Sequence, residues 1–505
     1  MGDENSRSSI YVGDSIRWTI EGYESTPQSV AYGTDVEGVF FDGYPQIVKE
    51  EGSRPVYEVK KEKDIMVAMR DGVRIAVDIY RPDVEGEKFP AILAWGMWGK
   101  DAQEAVAWTW DKQQAYYDTP FWDGSMEAGN YMYTVPRGYA HVIPEPRGIG
   151  NSEGVNLFFE TYHHPDDIYD IIEWIAAQPW CTGKVGMMGP SSYAQAQMSI
   201  APNPPPHLVA IRPDECVDLM GPGIGDSFHG IWDTLIYHIW FGRHGNDSTP
   251  PPSNSPETIL APKMLSLPKE ELERRLEEAL NHPDIKYNTK WYSNLKYPMK
   301  HPIFFDQLLD SFHPSPIECD YSDIKIPFYA GTPWVNRLYI WGTFALYEQS
   351  STPDPNRKVI VYPPGFPPRP YASYHDEALR WYDHWLKGID TGIMDEPPIK
   401  LFVMGVNKWR FENEWPLART EWTKFYLHPE GGLSAEPVEG TPEPESFTQP
   451  APYLDPKIYC LRYSTGPLDR DTEITGPIAL YLEASIDIND TNWMVDLVDV
   501  DPEGN

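Results

Sequence analysis

Residues 185–195 could place a nucleophilic serine on a sharp turn of the backbone. They run from apolar residues through a Gly-Pro pair to Ser191 and then into a stretch compatible with a helix. A serine on a tight strand-to-helix turn projects its hydroxyl over the sheet, and the following backbone N–H can face a developing oxyanion. The pattern favours acyl transfer, with Ser191 as nucleophile and the Ser192 N–H as an oxyanion donor. The alternative is a plain turn serine, since Tyr193 stands where such turns usually have a second glycine.

The surrounding sequence predicts the elements that must position this serine. Residues 64–80 predict two strands joined by a turn at Asp71-Gly72, and residues 91–95 and 139–143 predict two more. Residues 166–177 carry apolar side chains at helical spacing behind a proline and two aspartates. The order strand, helix, strand, serine, helix implies an α/β fold with a parallel sheet. In such folds ligands bind beyond the carboxyl ends of the strands.

Five motifs, in order along the chain, resemble one known family. They are residues 69–82, residues 146–154, residues 173–180, the turn around Ser191 and residues 381–392. Together they resemble the cocaine esterase and X-prolyl dipeptidyl peptidase family of serine acyl hydrolases. The resemblance implies an α/β-hydrolase core, a helical cap inserted after the nucleophile region, and a C-terminal β-sandwich of the jelly-roll type.

Three positions that the resemblance assigns to catalysis carry unexpected residues. The family places an acid after a strand in a Trp-x-Asp setting, and the matching position here is Asn336. It places a histidine after the next strand, and the matching position is Phe366, whose ring cannot accept a proton. The family's oxyanion tyrosine corresponds to Trp98, whose indole N–H can still donate one hydrogen bond.

The nearest substitute for the missing base is His375. It follows the last predicted core strand, residues 358–362, and so keeps the order of nucleophile, acid and base. We expect Asn336 to orient its ring, but an amide cannot stabilise imidazolium as a carboxylate does, so catalysis should be slow. The alternative for His375 is a surface histidine at a helix N-terminus. His384 is expected to be a structural core residue.

Aromatic side chains could line the pocket around the serine. The candidates for substrate binding are Tyr193, Trp334 and Phe366, with Trp98 beside them. The alternative is ordinary aromatic core packing.

Composition excludes several classes of partner. The chain has 505 residues, 41% of them hydrophobic and 13% aromatic, which is enough for two or three domains with real cores. Its 41 basic and 76 acidic residues give a net charge of −35. Such a charge argues against nucleic acids and anionic membranes as partners. The partner expected from the hydrolase hypothesis is a small-molecule acyl substrate.

No cofactor or metal is expected. The cysteines are scattered without pairing motifs, which favours free thiols in a reducing compartment, and the start of the chain lacks the pattern of a signal peptide. We therefore expect a cytoplasmic protein. His229, His238 and His244 lack an acidic residue in ligand register, so pocket lining is favoured over metal binding. Residues 221–225 are glycine-rich, but no strand and helix frame them as a dinucleotide loop.

Five segments are predicted along the chain. They are an N-terminal extension (residues 1–54), the first part of the hydrolase core (residues 55–214), the helical cap (residues 215–320, with an amphipathic helix at 268–280), the second part of the core (residues 321–395) and a partial jelly roll (residues 396–505).

The C-terminal sandwich looks incomplete. About five strands are predicted, whereas a jelly roll has about eight. The last one would leave a hydrophobic sheet edge, so we expect either a truncated fragment or a second polypeptide or further copy that completes the sandwich. The predicted strands are residues 399–404, 423–427, 458–463, 478–484 and 493–500.

The leading functional hypothesis is hydrolysis of an ester or amide through an acyl-enzyme on Ser191. A second hypothesis is a hydrolase scaffold with a decayed triad that binds a small ligand or performs non-hydrolytic chemistry. A third is a structural subunit of a larger assembly.

Overall fold

The computed structural model describes most of the chain, which divides into two compact units. One unit comprises Glu37–Phe411, and the other comprises Met1–Val36 with Glu412–Asn505. The described residues are 45–96, 99–100, 127–154, 164–216, 268–281, 320–334, 337–363, 375–450, 454–455, 457–489, 491, 493 and 495–500.

Within the described residues, one large mixed sheet of ten strands has the order β1-β2-β4-β3-β5-β6-β7-β8-β9-β10. A smaller antiparallel sheet contains two further strands. The strands are β1 (Val59–Ala68), β2 (Arg74–Pro82), β3 (Phe89–Leu93), β4 (Ala140–Pro144), β5 (Cys181–Pro190), β6 (Leu208–Asp214), β7 (Phe328–Pro333), β8 (Arg357–Tyr362), β9 (Ile399–Val403), β10 (Lys408–Glu412), β11 (Tyr426–His428) and β12 (Gly432–Ser434).

The helices follow the predicted alternation with strands. Short 3₁₀ turns cover Val135–Arg137, Tyr321–Asp323, Ile393–Asp395 and Pro429–Gly431, and a π-helical turn covers Asp383–Lys387. The α-helices are α1 (Tyr131–Thr134), α2 (Pro165–Ala176), α3 (Ser192–Ile200), α4 (Lys269–Asn281), α5 (Arg337–Gln349) and α6 (His375–Tyr382).

Strand direction brings the candidate residues to one edge of the sheet. The β1–β2 hairpin is antiparallel and turns at Gly72, as predicted. β3 pairs in parallel with β4 and β5, and parallel pairing continues from β5 to β9. The carboxyl ends of β3 and β5 to β8 therefore lie at the same edge, where ligands bind in such sheets. The α/β fold is confirmed.

Helix α2 shows why the local sequence folds as predicted. Pro165 opens it, and Asp166 and Asp167 lie in the first turn, where negative charge complements the helix dipole. Its four isoleucines, spaced three or four residues apart, are all buried. This side of α2 thus contributes to the core of the unit.

Parts of the predicted N-terminal extension and of the predicted helical cap lie in the described residues. Residues 45–54 form no helix or strand and are held by hydrogen bonds, with Ile47 N–H donating to Glu396 at 2.7 Å and Ser53 Oγ donating to Asp383 at 2.6 Å. In the predicted cap, α4 confirms the helix expected at 268–280. The remainder of the extension, and the cap histidines, lie outside the described residues.

The C-terminal strands differ from the prediction. Residues 399–404 were assigned to the sandwich, but β9 pairs in parallel with β8 and extends the large sheet. β11 overlaps the predicted strand 423–427, whereas the described residues of 458–463, 478–484 and 493–500 form no strand. Alternating apolar residues mark one face of a segment, but a strand also needs a neighbour to accept its backbone hydrogen bonds. The jelly roll therefore stays a prediction.

The structure also describes the cysteines and the apolar character of the helices. Cys181, Cys216 and Cys460 carry free thiols, as expected, while Cys319 lies outside the described residues. No helix in the described part of the chain is long and apolar enough to cross a membrane.

Candidate active site

Ser191 occupies the sharp turn between β5 and α3. Its backbone has φ of 58° and ψ of −121°, a conformation that residues with a side chain rarely adopt. Its N–H donates to the carbonyl oxygen of Asp214 at 3.0 Å, and its own carbonyl oxygen accepts from Gln195 N–H at 3.0 Å. These bonds tie the turn to the end of β6 and to the first turn of α3. The predicted strand-to-helix turn is therefore present.

Tyr193 supports this turn from within the core. Its side chain is 1% exposed and packs with Tyr80, Tyr131 and neighbouring apolar residues. Gly189 has φ of +124°, and a Cβ there would stand 2.6 Å from Tyr193 Cβ. The predicted substrate contact of Tyr193 is therefore corrected: the missing second glycine of the motif is replaced by a core aromatic, and space for its ring comes from glycines elsewhere.

Gln197 fixes the same turn, a role that the sequence did not reveal. Its Nε2 donates to the carbonyl oxygens of Gly189 and Tyr193, both at 3.1 Å. Its Oε1 accepts from Arg212 N–H at 2.9 Å. One buried amide thus joins β5, α3 and β6. Only the position of a polar residue on a buried helix face could have indicated it.

Tyr339 contacts the candidate nucleophile Ser191 directly. Its hydroxyl donates to Ser191 Oγ at 3.0 Å, and the two residues are 6% and 5% exposed. Tyr339 lies on α5, after β7, so it reaches Ser191 from a distant part of the chain. No motif marks it, because this pairing depends on the order of strands rather than on local spacing.

A buried network of hydrogen bonds and one ion pair holds the carboxyl end of β6. Arg212 forms an ion pair with Asp214 and donates to the Tyr362 hydroxyl at 2.9 Å. That hydroxyl donates to Asp214 Oδ1 at 2.6 Å. Burial raises the pKa of Tyr362 well above its usual value, so it stays protonated as a donor. The Asp214 carboxylate is thus engaged with its neighbours on β6 and β8.

Further carboxylates are buried at this edge of the sheet. Glu127, Glu145 and Glu215 are 4%, 2% and 4% exposed. Glu215 has φ of 57° and its N–H donates to the Gly331 carbonyl oxygen at 2.6 Å, so the chain bends sharply just after β6. Burial, followed by the charges of Glu127 and Glu145, raises the pKa of Tyr193 well above its usual value. Glu127 and Glu145 thus lie close enough to Tyr193 to act on its ionisation.

His375 is the first residue of α6, so the backbone places it at a helix start after β8. Its side chain lies outside the described part of the structure, as do Asn336, Phe366 and Trp98. Ser192 opens α3, where the helix dipole favours negative charge near its N–H. The arrangement of the predicted base, acid, aromatic wall and second oxyanion donor therefore stays a prediction.

Helix α6 itself is firmly anchored. Glu377 accepts from Tyr329 at 2.8 Å, and from Lys400 and Arg380 at 2.7 and 3.1 Å. Burial opposes the ionisation of Glu377, yet the charges of Lys400 and Arg380 lower its pKa to about 2. The negative charge is thus compensated by β9 and by α6 itself.

The π-helical turn after α6 is anchored in the same way. Asp383 accepts from the Tyr139 hydroxyl at 2.5 Å. His384 is half-buried and packs edge-on against Trp385, with ring centroids 5.2 Å apart. It is therefore a packing residue, though it is not fully inside the core.

Trp334 anchors the end of β7. Its indole N–H donates to the Phe402 carbonyl oxygen on β9 at 2.6 Å. Its ring stacks near Phe344, with centroids 6.3 Å apart, and the residue is half-buried. The indole N–H thus joins the end of β7 to β9. Any contact of Trp334 with a substrate would have to come from the face or edge of its ring.

Known proteins match the chain in two parts. The model of the X-Pro dipeptidyl-peptidase family, S15, matches residues 71–233, which include the Ser191 turn. The model of the X-Pro dipeptidyl-peptidase C-terminal non-catalytic domain matches residues 391–505. The cocaine esterase of Rhodococcus sp. (strain MB1 Bresler) is 27% identical over 503 residues, covering 87% of this chain and 80% of the relative. The chain thus carries an S15-type region and an X-Pro dipeptidyl-peptidase C-terminal region, and it is similar to cocaine esterase over most of its length.

A further relative and a solved structure are also similar to this chain. A Bacillus anthracis protein named as an Xaa-Pro dipeptidyl-peptidase is 22% identical over 466 residues, covering 85% of this chain and 71% of the relative. The crystal structure of a CocE/NonD family hydrolase from Staphylococcus aureus matches with a TM-score of 0.50 at 23% identity. That match covers 74% of this chain and 60% of the solved one, so the chain spans less than two thirds of that relative. It supports the α/β-hydrolase fold.

Proposed function

We propose that this chain is a serine acyl hydrolase that cleaves an ester or amide of a small substrate through an acyl-enzyme on Ser191. The observation that carries the proposal is the strained backbone of Ser191 at the turn from β5 to α3. Strain of this size persists only where the surroundings impose it, and such positions cluster at active sites. Here hydrogen bonds from Gln195 and to Asp214 impose it.

The proposed reaction has two halves. Ser191 Oγ attacks the acyl carbon while a base takes its proton, and the oxyanion is met by the Ser192 N–H and by Trp98. Collapse expels the leaving group, which takes that proton and leaves the acyl group on Oγ. Water then attacks the acyl-enzyme in the same way, and the carboxylic acid is released from Ser191. His375 is the proposed base, with Asn336 orienting it.

A second candidate is a hydrolase-fold protein that binds a small ligand without hydrolysing it. It is favoured by one observation, that in the described residues Ser191 Oγ bonds to a phenol rather than to an imidazole. A protonated phenol is a poor base near neutral pH, so Tyr339 would not take the Ser191 proton as an imidazole could.

A fluorophosphonate probe separates the two candidates. Covalent labelling and hydrolysis of p-nitrophenyl esters, both lost in Ser191→Ala, are expected for the hydrolase. Ser199→Ala is a matched control on α3, because Ser199 Oγ donates to the Ala196 carbonyl oxygen and has no part in the proposed reaction. Absence of labelling and turnover in the unaltered protein, together with tight ligand binding, would favour the second candidate.

A further inference from the structure

The geometry points to Tyr339 as a catalytic residue that speeds deacylation by donating a hydrogen bond to Ser191 Oγ as that atom leaves the acyl group. The inference rests on the proposed function, since it assigns one step of the same reaction. Tyr339 lies outside both ranges that the family models match, residues 71–233 and 391–505.

The order of strands decides which part of the site Tyr339 can serve. β3 and β6 flank β5 on opposite sides, and β7 lies beyond β6. Tyr339 stands on α5 after β7, whereas the proposed oxyanion donor Trp98 follows β3. The helix that carries the phenol thus follows a strand on the β6 side of β5, whereas Trp98 follows the strand on its other side. This placement favours an action on Oγ itself over an action on the carbonyl oxygen.

The bond to Oγ leaves the nucleophile competent. A serine hydroxyl has one proton and two acceptor lone pairs, so donation from Tyr339 occupies one pair and leaves the other for attack. Both residues are buried, and a hydrogen bond is electrostatically stronger away from water. Tyr339 thus also restricts the rotation of the Ser191 side chain.

The two halves of the reaction place opposite demands on this bond. In acylation Oγ gives electron density to the acyl carbon, so the hydrogen bond from Tyr339 weakens on the way to the transition state. In deacylation the C–Oγ bond breaks and its electron pair returns to Oγ, so the bond strengthens. Only an interaction that strengthens towards the transition state accelerates a step. Tyr339 therefore favours deacylation.

The atoms of the deacylation step balance without a further reagent. Water attacks the acyl carbon and passes a proton to the base. The tetrahedral intermediate expels Oγ, which takes that proton from the base while Tyr339 donates a hydrogen bond to it. Tyr339 keeps its own proton throughout. One water is consumed, and the acid and the free serine are released.

Burst kinetics with p-nitrophenyl acetate test this assignment on the full chain. The fast phase reports acylation and the slow phase reports deacylation. In Tyr339→Phe the slow phase should fall about 10- to 100-fold, as expected for losing a hydrogen bond to a charged atom, while the fast phase changes far less. The acetyl-enzyme should then accumulate and be visible in the intact protein mass.

Tyr347→Phe is the matched control. Tyr347 lies on the same helix with similar burial, 5% against 6%, and takes no part in the proposed chemistry. It should keep both rates and, like Tyr339→Phe, a cooperative thermal unfolding transition. Equal slowing of both phases in Tyr339→Phe, or no change in either, would overturn the role of Tyr339 alone. No labelling by fluorophosphonate and no turnover in the unaltered protein would overturn it together with the proposed function.

Discussion

The ring of Tyr193 fills the space that a Cβ on Gly96 would need. Gly96 follows β3, and Tyr193 lies in the first turn of α3, two residues after Ser191. The close approach therefore couples the end of β3 to the turn that carries the proposed nucleophile.

Gly96→Ala should destabilise the protein and lower its activity together. The added methyl group forces either the Tyr193 ring or the β3 end to move, and overpacking of this kind costs about 1–3 kcal/mol. Urea unfolding and ester hydrolysis measure the two effects. In a Tyr193→Leu background the same substitution should cost less, because the obstructing ring is gone. Additive effects would show that the two residues are not coupled.

The anchoring of α6 predicts a large effect at Glu377. Glu377→Gln removes one of the two carboxylates that Lys400 and Arg380 share, while Glu396 keeps its ion pairs with both cations. Breaking a buried ion pair costs about 3–5 kcal/mol, and the remaining pairs with Glu396 hold the loss to the lower end of that range. Urea unfolding should show a loss of this size. Glu51→Gln, which removes an exposed pair with Arg54, is the control and should leave the stability nearly unchanged. Similar small losses in both variants would contradict the buried network.

Acid should weaken the fold through His141. Burial lowers its pKa from 6.5 to about 4, and its Nε2 donates to the Ala128 carbonyl oxygen at 2.6 Å. Because the unfolded chain takes up the proton first, stability is complete above about pH 6.5 and is lost as the pH falls towards about 4. At about pH 5 the loss should be about 2 kcal/mol.

The measurement is urea unfolding at about pH 7.5 and about pH 5. His141→Gln keeps an amide donor but cannot titrate, so the difference between the two pH values should be smaller in this variant. An identical pH dependence in both proteins would mean that His141 is not responsible.

Trp334→Phe tests whether this residue serves the scaffold or the substrate. Losing the indole N–H bond to Phe402 should cost about 0.5–1.5 kcal/mol in stability. If the role is structural, KM for p-nitrophenyl esters of different acyl size should stay unchanged. A change of KM that depends on acyl size would instead restore Trp334 as a pocket residue.

The sequence predicted the scaffold because its signals are local. The β1–β2 turn, the isoleucine spacing of α2 and the Gly-Pro-Ser turn each depend on a few neighbouring residues. The contacts of Tyr339 and Gln197 could not be predicted, because they depend on which strands become neighbours. Residues 399–404 were misassigned for the same reason, since alternation indicates a strand but not the sheet that it joins.

The identity of the residue that carries the covalent adduct tests the central claim most directly. The chain would be treated with a fluorophosphonate, digested, and mapped by tandem mass spectrometry. The account predicts an adduct on Ser191 that is absent from Ser191→Ala and present in Ser199→Ala. An adduct on another residue, or labelling that survives Ser191→Ala, would contradict it.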